Sequence, residues 1–318
     1  SPFKNEKTPS FTINDEKGFY HCFSTSEHGN IFDFLMKTQN LKFGEAVKFL
    51  ANLAGMQPYT FSKQDVEREK NWTIYKSIYS LYVDFYHNEL FKNPLAKSAK
   101  DYLKKRGLTV DEVKKFKIGF VTKDTDIYQV LLKEFEENKL KESGLFYFDE
   151  NKKKFVERFR DRIIFPINNI SGDPIGFGGR IMDEKNYLAK YINSPETPFF
   201  KKGSNLFNLD KARKLSNEMD HIFLVEGYTD VVGLSKNGIE NVVANLGTSL
   251  TDKQILILNQ FFDDIIICFD GDESGYKAAL RAAENSIKEL QPEKQISFLF
   301  LPENEDPDSF VNKNGKDH

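Results

Sequence analysis

The chain has 318 residues, more than one average domain holds, and 39% of them are apolar, with 30 Phe and 13 Tyr, which excludes global disorder. Two Cys exclude a disulfide-rich secreted scaffold, and no signal peptide or apolar run of roughly 18 residues is present, so a soluble cytoplasmic protein without a membrane span is expected. The net charge of −3 hides an uneven distribution: residues 151–214 carry 14 Lys/Arg against 7 Asp/Glu, and residues 215–318 carry 8 against 19. A basic block beside an acidic block suits a protein that holds a polyanion on one surface and metal cations on the next; the alternative is two solvated faces.

Residues 1–30 are turn-rich, and the short runs SFTI and GFYHCF predict a small β-structure. IFDFLMKTQN and FGEAVKFLANLAGM place apolar residues at helical spacing and predict two short helices, the second ending near Gly55. Residues 57–70 are polar and read as a linker running toward the next helix. From Trp72 to about Gly119 the pattern is helical, with Thr109 as an N-cap. Residues 121–150 predict another helix, followed by a turn in FYFDENKKKF between two strands, and short strands alternate with glycine turns from Phe155 to Met182. In the last hundred residues apolar strands alternate with amphipathic helices: HIFLVEG, VVANLG, DIIICFDGD and ISFLFLP are the strands. That alternation predicts a parallel sheet covered on both faces, with its site beyond the carboxyl ends of the strands.

Those strand ends carry acids. Glu226 ends the first, Asp270 and Asp272 end the third, and Asp306 and Asp308 follow the fourth; Asp230 lies one helical turn after Glu226. Gly227 and Gly271 sit beside them, where the lack of a Cβ allows close approach. Each Asp alone could be a helix cap or turn former. Together, so many carboxylates at one sheet edge need a cation, and oxygen-only donors favour Mg²⁺ or Mn²⁺ over Zn²⁺. Two such ions would serve an in-line phosphoryl transfer. Upstream, Arg158, Arg160 and Arg162 are spaced by two, which on a strand puts three guanidinium groups on one face. Arg180 follows GFGG, and Lys190, Lys201 and Lys202 come shortly after. These residues suit phosphate binding, with a solvated strand face as the alternative. Asn193 and Glu196 in NSPET shape a turn or join the site.

EGYTDV, then FDGDESG, then EDPD resembles the toprim signature shared by primases, topoisomerases, some nucleases and a recombination protein. The flanks choose among them. SPFKNEKTPSFTINDEKGFYHCF resembles the zinc-ribbon stretch of bacterial DnaG-type DNA primases, and DYLKKRGLTVDEVKKFKIGF, RIIFPINNISGDPIGFGGR, YINSPETPFFKKGSNLFNLDKAR and VEGYTDVVGLSKNGIENVVANLGTSLT resemble their polymerase core. The resemblance covers essentially the whole chain in order. It implies a mixed α/β fold: residues 1–57 as an N-terminally truncated, zinc-ribbon-like β domain, 58–70 as linker, 71–214 as a helical and β subdomain with the basic template face, and 215–318 as the toprim α/β parallel-sheet subdomain.

The resemblance further implies synthesis of short RNA primers from ribonucleoside triphosphates on single-stranded DNA. It puts the catalytic and metal-binding carboxylates at Glu226, Asp270 and Asp272, with Asp230, Asp306 and Asp308 as supporting acids or ligands of further metal. It places the basic ridge that binds template and nucleotide at the Arg and Lys residues named above. The family's replicative helicase is a further implied partner, although the helical domain that docks on it is absent from this chain, which is expected to be a fragment or a reduced form. A non-catalytic template-binding module and another toprim enzyme are the alternative readings. The sequence departs from the family at the zinc ligands, where Ser1, Lys4, Cys22 and Thr25 stand for Cys and His. Zinc is therefore expected to be absent, with the aromatics Phe11, Phe19, Tyr20 and Phe23 holding the ribbon, or with His21, Cys22 and His28 as a substitute ligand set. Cys22 and Cys268 otherwise read as small buried residues.

Overall fold

The computed structural model describes residues 1–15, 18–56, 62–182, 189–247 and 249–318. The chain forms two compact units, Ser1–Glu69 and Lys70–His318. In the first, β1 (Phe11–Asn14), β2 (Phe19–Cys22) and β3 (Glu27–Asn30) make an antiparallel sheet in chain order. Helices α1 (Ile31–Gln39) and α2 (Phe43–Leu53) follow; Asn30 and Asp33 form a capping box at the start of α1, and at the start of α2 Glu45 accepts the Lys42 backbone N–H at 2.8 Å. The ribbon's apolar centre is a ring cluster of Phe3, Phe11, Tyr20 and Phe34, with centroids 5.4–6.0 Å apart. Of the four aromatics expected to hold the ribbon, Phe11 and Tyr20 do so. Phe19 and Phe23 are exposed, because they lie on the opposite side of the pleat from Tyr20.

Residues 58–61 of the expected linker lie outside the described residues, and from Lys63 onward the segment is helical: α3 runs Lys63–Lys92. Ser62 and Asp65 cap it reciprocally. The first turns of α3 are mostly exposed, so they carry no apolar stripe for periodicity to detect. Helices α4 (Lys97–Lys105) and α5 (Val110–Lys115) complete the helical stretch, with Thr109 capping α5 as expected. After β4 (Gly119–Val121), the single helix expected over 121–150 is two short ones, α6 (Ile127–Leu131) and α7 (Glu137–Glu142). Strands β5 (Phe146–Asp149) and β6 (Lys154–Glu157) form the expected hairpin. Strands β7 (Arg162–Asn168), β8 (Pro174–Ile181) and β9 (Tyr191–Asn193) join β4 in an antiparallel sheet of order β4-β7-β8-β9.

A short helix α8 (Leu209–Ala212) leads into the parallel sheet. It is built from β10 (His221–Val225), α9 (Tyr228–Lys236), β11 (Val242–Ala244), α10 (Asp252–Asn259), β12 (Asp264–Phe269), α11 (Glu273–Ser286), β13 (Gln295–Phe300) and α12 (Pro307–Asn314). The order is β11-β10-β12-β13, all pairs parallel. All four strands read from sequence are present. Coverage of both faces fails at β13, an edge strand with Leu299 and Phe300 exposed.

The two sheets of this unit meet through aromatic packing. Phe165 of β7 stacks on Tyr228 of α9 at 5.4 Å and 10°, and Phe207 meets Tyr228 edge-on at 4.9 Å. Tyr228 is 4% exposed, and burying a ring of this kind contributes about 1.5–3 kcal/mol. Its hydroxyl donates to Asn193 Oδ1 at 2.5 Å, which ties β9 to the start of α9.

Candidate active site

Three strand ends of the parallel sheet deliver the acids. Glu226 follows β10 directly, and α9 begins two residues later, so Asp230 falls in its first turn and accepts the Gly227 N–H at 3.0 Å. Asp270 follows β12, and Asp272 caps α11 by accepting the Gly275 N–H at 2.7 Å. Between them Gly271 donates its N–H to Glu305 O at 2.8 Å. A methyl group on Gly271 would lie 2.1 Å from Pro302 O, so only glycine lets the loop after β12 dock on the loop after β13. Asp306 caps α12 through the Ser309 N–H at 2.6 Å.

Glu226, Asp230, Asp270 and Asp306 line one cavity of about 250 Å³ together with Arg106, Arg180 and Lys190. Asp272 lies beside a neighbouring cavity that shares Asp270. Asp308 is buried against Gly233 of α9 and accepts from Asn312 Nδ2 at 2.6 Å. Six acids expected together thus divide into four around the cavity, one at its margin and one behind it.

Burial, then the Asp270 and Asp272 carboxylates, push Glu226 up to about 7. Burial, Asp270 and Asp306 push Asp230 up to about 7. Burial, Asp306 and Asp272 raise Asp270 to about 6, while Lys190 pulls it down. Glu226 Oε1 and Asp270 Oδ1 are buried with no hydrogen-bond partner among the described residues. Buried acceptors of this kind cost free energy unless something satisfies them, and an all-oxygen set fits a hard divalent cation such as Mg²⁺ or Mn²⁺. Among the described residues no three His, Cys, Asp or Glu side chains close on a single point; the acids stand around the cavity wall.

The basic residues do not share one strand face. Strand β6 ends at Glu157, residues 158–161 turn, and β7 begins at Arg162. A spacing of two carries its strand meaning only inside a strand, and Asp161 here adopts a left-handed φ of 60°. Arg158 turns back to donate to Gly144 O at 3.0 Å. Arg162 is buried, with Gly179 O and Lys190 O at 3.5 and 3.3 Å. Arg160 sits half-buried in the turn. Arg180 is held in the cavity wall, its guanidinium 5.2 Å from the Tyr102 ring and 4.9 Å from the Tyr191 ring, with a hydrogen bond to Tyr191. Lys201 pairs with Glu196 at 3.4 Å, and the Lys202 N–H donates to Glu196 Oε1 at 2.9 Å, so Glu196 organises that turn.

Sequence reasoning missed Arg106 and Asn245. Arg106 donates to the Tyr102 hydroxyl at 3.2 Å, so one tyrosine positions two cavity guanidinium groups. Asn245, just past β11, brings the fourth strand end to the same cavity. The only signal was a KKRG run at a helix end, which ordinarily means favourable contact with the helix dipole. Cys268, buried behind the acids, is pushed up to about 12 by burial and behaves as an apolar residue.

In the ribbon, Cys22 is buried with Ser1 Oγ 3.1 Å from its Sγ, and Lys4 is exposed. His21 and His28 are cross-strand partners with rings 5.9 Å apart. They stand on the other face of β2 from Cys22, because neighbours on a strand point to opposite sides. The substitute set of His21, Cys22 and His28 therefore does not form.

A parallel sheet whose strand ends carry a Glu, an Asp-x-Asp pair and a further Asp defines a toprim site, and a Toprim domain model matches residues 220–300. Models of the DNA primase catalytic core N-terminal domain and of the CHC2 zinc finger match residues 85–213 and 1–66. The chain is 41% identical to a DNA primase of Neisseria meningitidis across 99% of its own length and 53% of that protein's. It is 42% identical to a DNA primase domain from Pseudomonas aeruginosa, with a TM-score of 0.70 and 76% of each chain covered. It is 37% identical to a DnaG primase catalytic domain solved bound to ssDNA, with a TM-score of 0.71, 78% of this chain and 77% of that one covered. The chain belongs to the bacterial DNA primase family. It spans about half the length of the curated relatives it matches. The family's zinc does not fit the ribbon residues: one thiol, with no imidazole on its side of the sheet, falls short of the four donors of a structural site.

Proposed function

We propose that this chain carries the template-directed RNA-primer synthesis of a DNA primase: nucleotidyl transfer from ribonucleoside triphosphates on single-stranded DNA. The observation that carries the reading is a pair of buried oxygens, Glu226 Oε1 and Asp270 Oδ1, without a hydrogen-bond partner among the described residues, in a cavity whose other wall holds Arg106, Arg180 and Lys190. Glu226, Asp270 and Asp306 would hold Mg²⁺ or Mn²⁺ there, with Asp272 at the margin; the bound cation supplies Lewis-acid activation of a hydroxyl and charge neutralisation on the phosphates.

The protein's own part is placement. Asp230 fixes the Gly227 turn that aims Glu226, and Gly271 lets the Asp270 loop close on the Asp306 loop. Arg106 and Arg180, held against Tyr102, present planar donors suited to triphosphate oxygens. Arg160, Lys201 and Lys202 continue the cationic surface for template phosphates. Arg158 and Arg162 spend donors on backbone carbonyls and act in this reading as supports of that surface. In the transfer the 3′-hydroxyl gives up its proton to solvent, its oxygen bonds to the α-phosphorus, the bond to the β,γ-diphosphate breaks, and pyrophosphate leaves. The ssDNA-bound relative supports the template class, and the protein would work in the cytoplasm at the replication fork.

The test is primer synthesis on single-stranded DNA with ribonucleotides and Mg²⁺ or Mn²⁺, wild type against Asp270→Asn. The expected result is primers from the wild type and a loss of about 10²–10³-fold in the variant, the size usual for removing one electrostatic partner of the transition state. Template binding without synthesis refutes the catalytic reading, and relaxation or cleavage of DNA assigns the site to another toprim chemistry.

A further inference from the structure

We propose that the ribbon unit folds without zinc, around a carboxylate and hydroxyl knot centred on Glu6 that ties the segments a metal would tie. In a zinc ribbon the first ligand motif and the motif after the hairpin are joined through the ion. Here the same two segments, 1–10 and 22–25, are joined by side chains. The Ser10 N–H donates to Glu6 Oε1 at 2.9 Å, and the Ser24 hydroxyl donates to Glu6 Oε2 at 2.7 Å. The Ser10 hydroxyl lies 2.8 and 2.7 Å from the two Glu6 oxygens and 2.7 Å from Ser24 Oγ. The Cys22 sulfur completes the knot, with Ser1, Ser24 and Ser10 hydroxyls at 3.1, 3.4 and 3.6 Å. A backbone bond from Phe23 N to Ser10 O, 2.9 Å, joins the same strands.

The donor chemistry sets this knot apart from a metal site. Hydroxyl groups are poor zinc ligands, whereas they are good donors to a carboxylate, and bonds to an ionised acceptor are the strong ones. The hydroxyls of Ser10 and Ser24 hold Glu6 down at about 2, so it is ionised at neutral pH. The stacked rings of Phe3, Phe11 and Tyr20, with Phe34 at their edges, supply the apolar part of what an ion would otherwise fix. A unit built this way is indifferent to chelators that would open a metal site.

The test uses the full 318-residue chain, produced in zinc-supplemented medium and purified without chelator. Metal is measured by plasma mass spectrometry, and limited proteolysis reads the ribbon with and without EDTA. The expected result is background zinc and a cleavage rate within residues 1–69 that EDTA leaves unchanged. Glu6→Gln, which keeps size and removes the charge, should speed that cleavage several-fold while the rest of the chain keeps its protection. One zinc per chain with a ribbon that EDTA opens overturns the proposal, whether or not the variant folds. A zinc-free wild type whose cleavage Glu6→Gln does not alter overturns the knot.

Discussion

Without divalent metal, the second unit should lose stability as the pH rises from about 4 to about 7.5, and magnesium should restore it. Glu226, Asp230 and Asp270 stand above their ordinary values in the folded chain, at about 7, 7 and 6. Carboxyls raised on folding stabilise fully below their unfolded pKa, and that stability is lost as the pH passes through the folded one. Asp230, moved from 3.8 to about 7 by burial, alone weighs on the order of 4 kcal/mol. Glu226 and Asp270 open to water through the cavity and add less, since solvent screens them. Glu157 contributes a slope of the same sign, because burial puts it at about 7 with Tyr86 as its hydrogen-bond donor. It is not among the residues that line the acidic cavity, so magnesium leaves its part untouched. Denaturant unfolding at a series of pH values, with EDTA and with magnesium, therefore gives a difference curve that isolates the cavity acids. That difference should grow from near zero at pH 4 to its largest value at pH 7.5, as Glu226 and Asp270 ionise with the cation beside them. Asp270→Asn should remove much of it. A difference curve flat across this range refutes the coupling of these acids through a shared cation.

Two further outcomes test placement. Gly271→Ala sets a methyl group 2.1 Å from Pro302 O, so the two acid-bearing loops must part by about 1 Å; primer synthesis should fall by about 10²-fold with template affinity intact, and an unaltered rate means the loop contact does not set the geometry. Arg160→Ala should weaken single-stranded DNA binding and lower the slope of log K against log salt by about one contact, measured by anisotropy titration; a slope equal to that of the wild type removes Arg160 from the phosphate track.

The parallel sheet was legible because its signals are local. HIFLVEG and DIIICFDGD are apolar strands ended by an acid and a glycine, and such a string has few other foldings. Helix α3 was legible only from Trp72, because Lys63–Asn71 is solvated and its start is written in one polar cap, Ser62 with Asp65, rather than in periodicity. The run Arg158–Arg162 misled for the converse reason. Alternation implies a shared face only while the chain stays extended, and the left-handed Asp161 breaks it between the second and third arginine.

The acids could be found from strand ends, and Arg180 and Lys190 from the basic run that follows GFGG, whereas Arg106 could not, since it reaches the cavity only through tertiary packing. Tyr102 on α4 and Tyr191 on β9 clamp Arg180, and Phe165 with Tyr228 seats the antiparallel sheet on α9. The basic and acidic blocks, adjacent in sequence, face one another because Phe165, Tyr191 and Phe207 pack around Tyr228 where the two sheets meet. The spacing between the cationic and the acidic wall of the cavity is thus set by aromatic packing, with Tyr191 and Tyr228 in the wall and Phe165 and Tyr102 behind it. Loss of the Tyr228 hydroxyl bond to Asn193 would loosen the tie between β9 and α9, while the β8–β9 ladder and the bond of Asn193 to Leu246 O still held the strand.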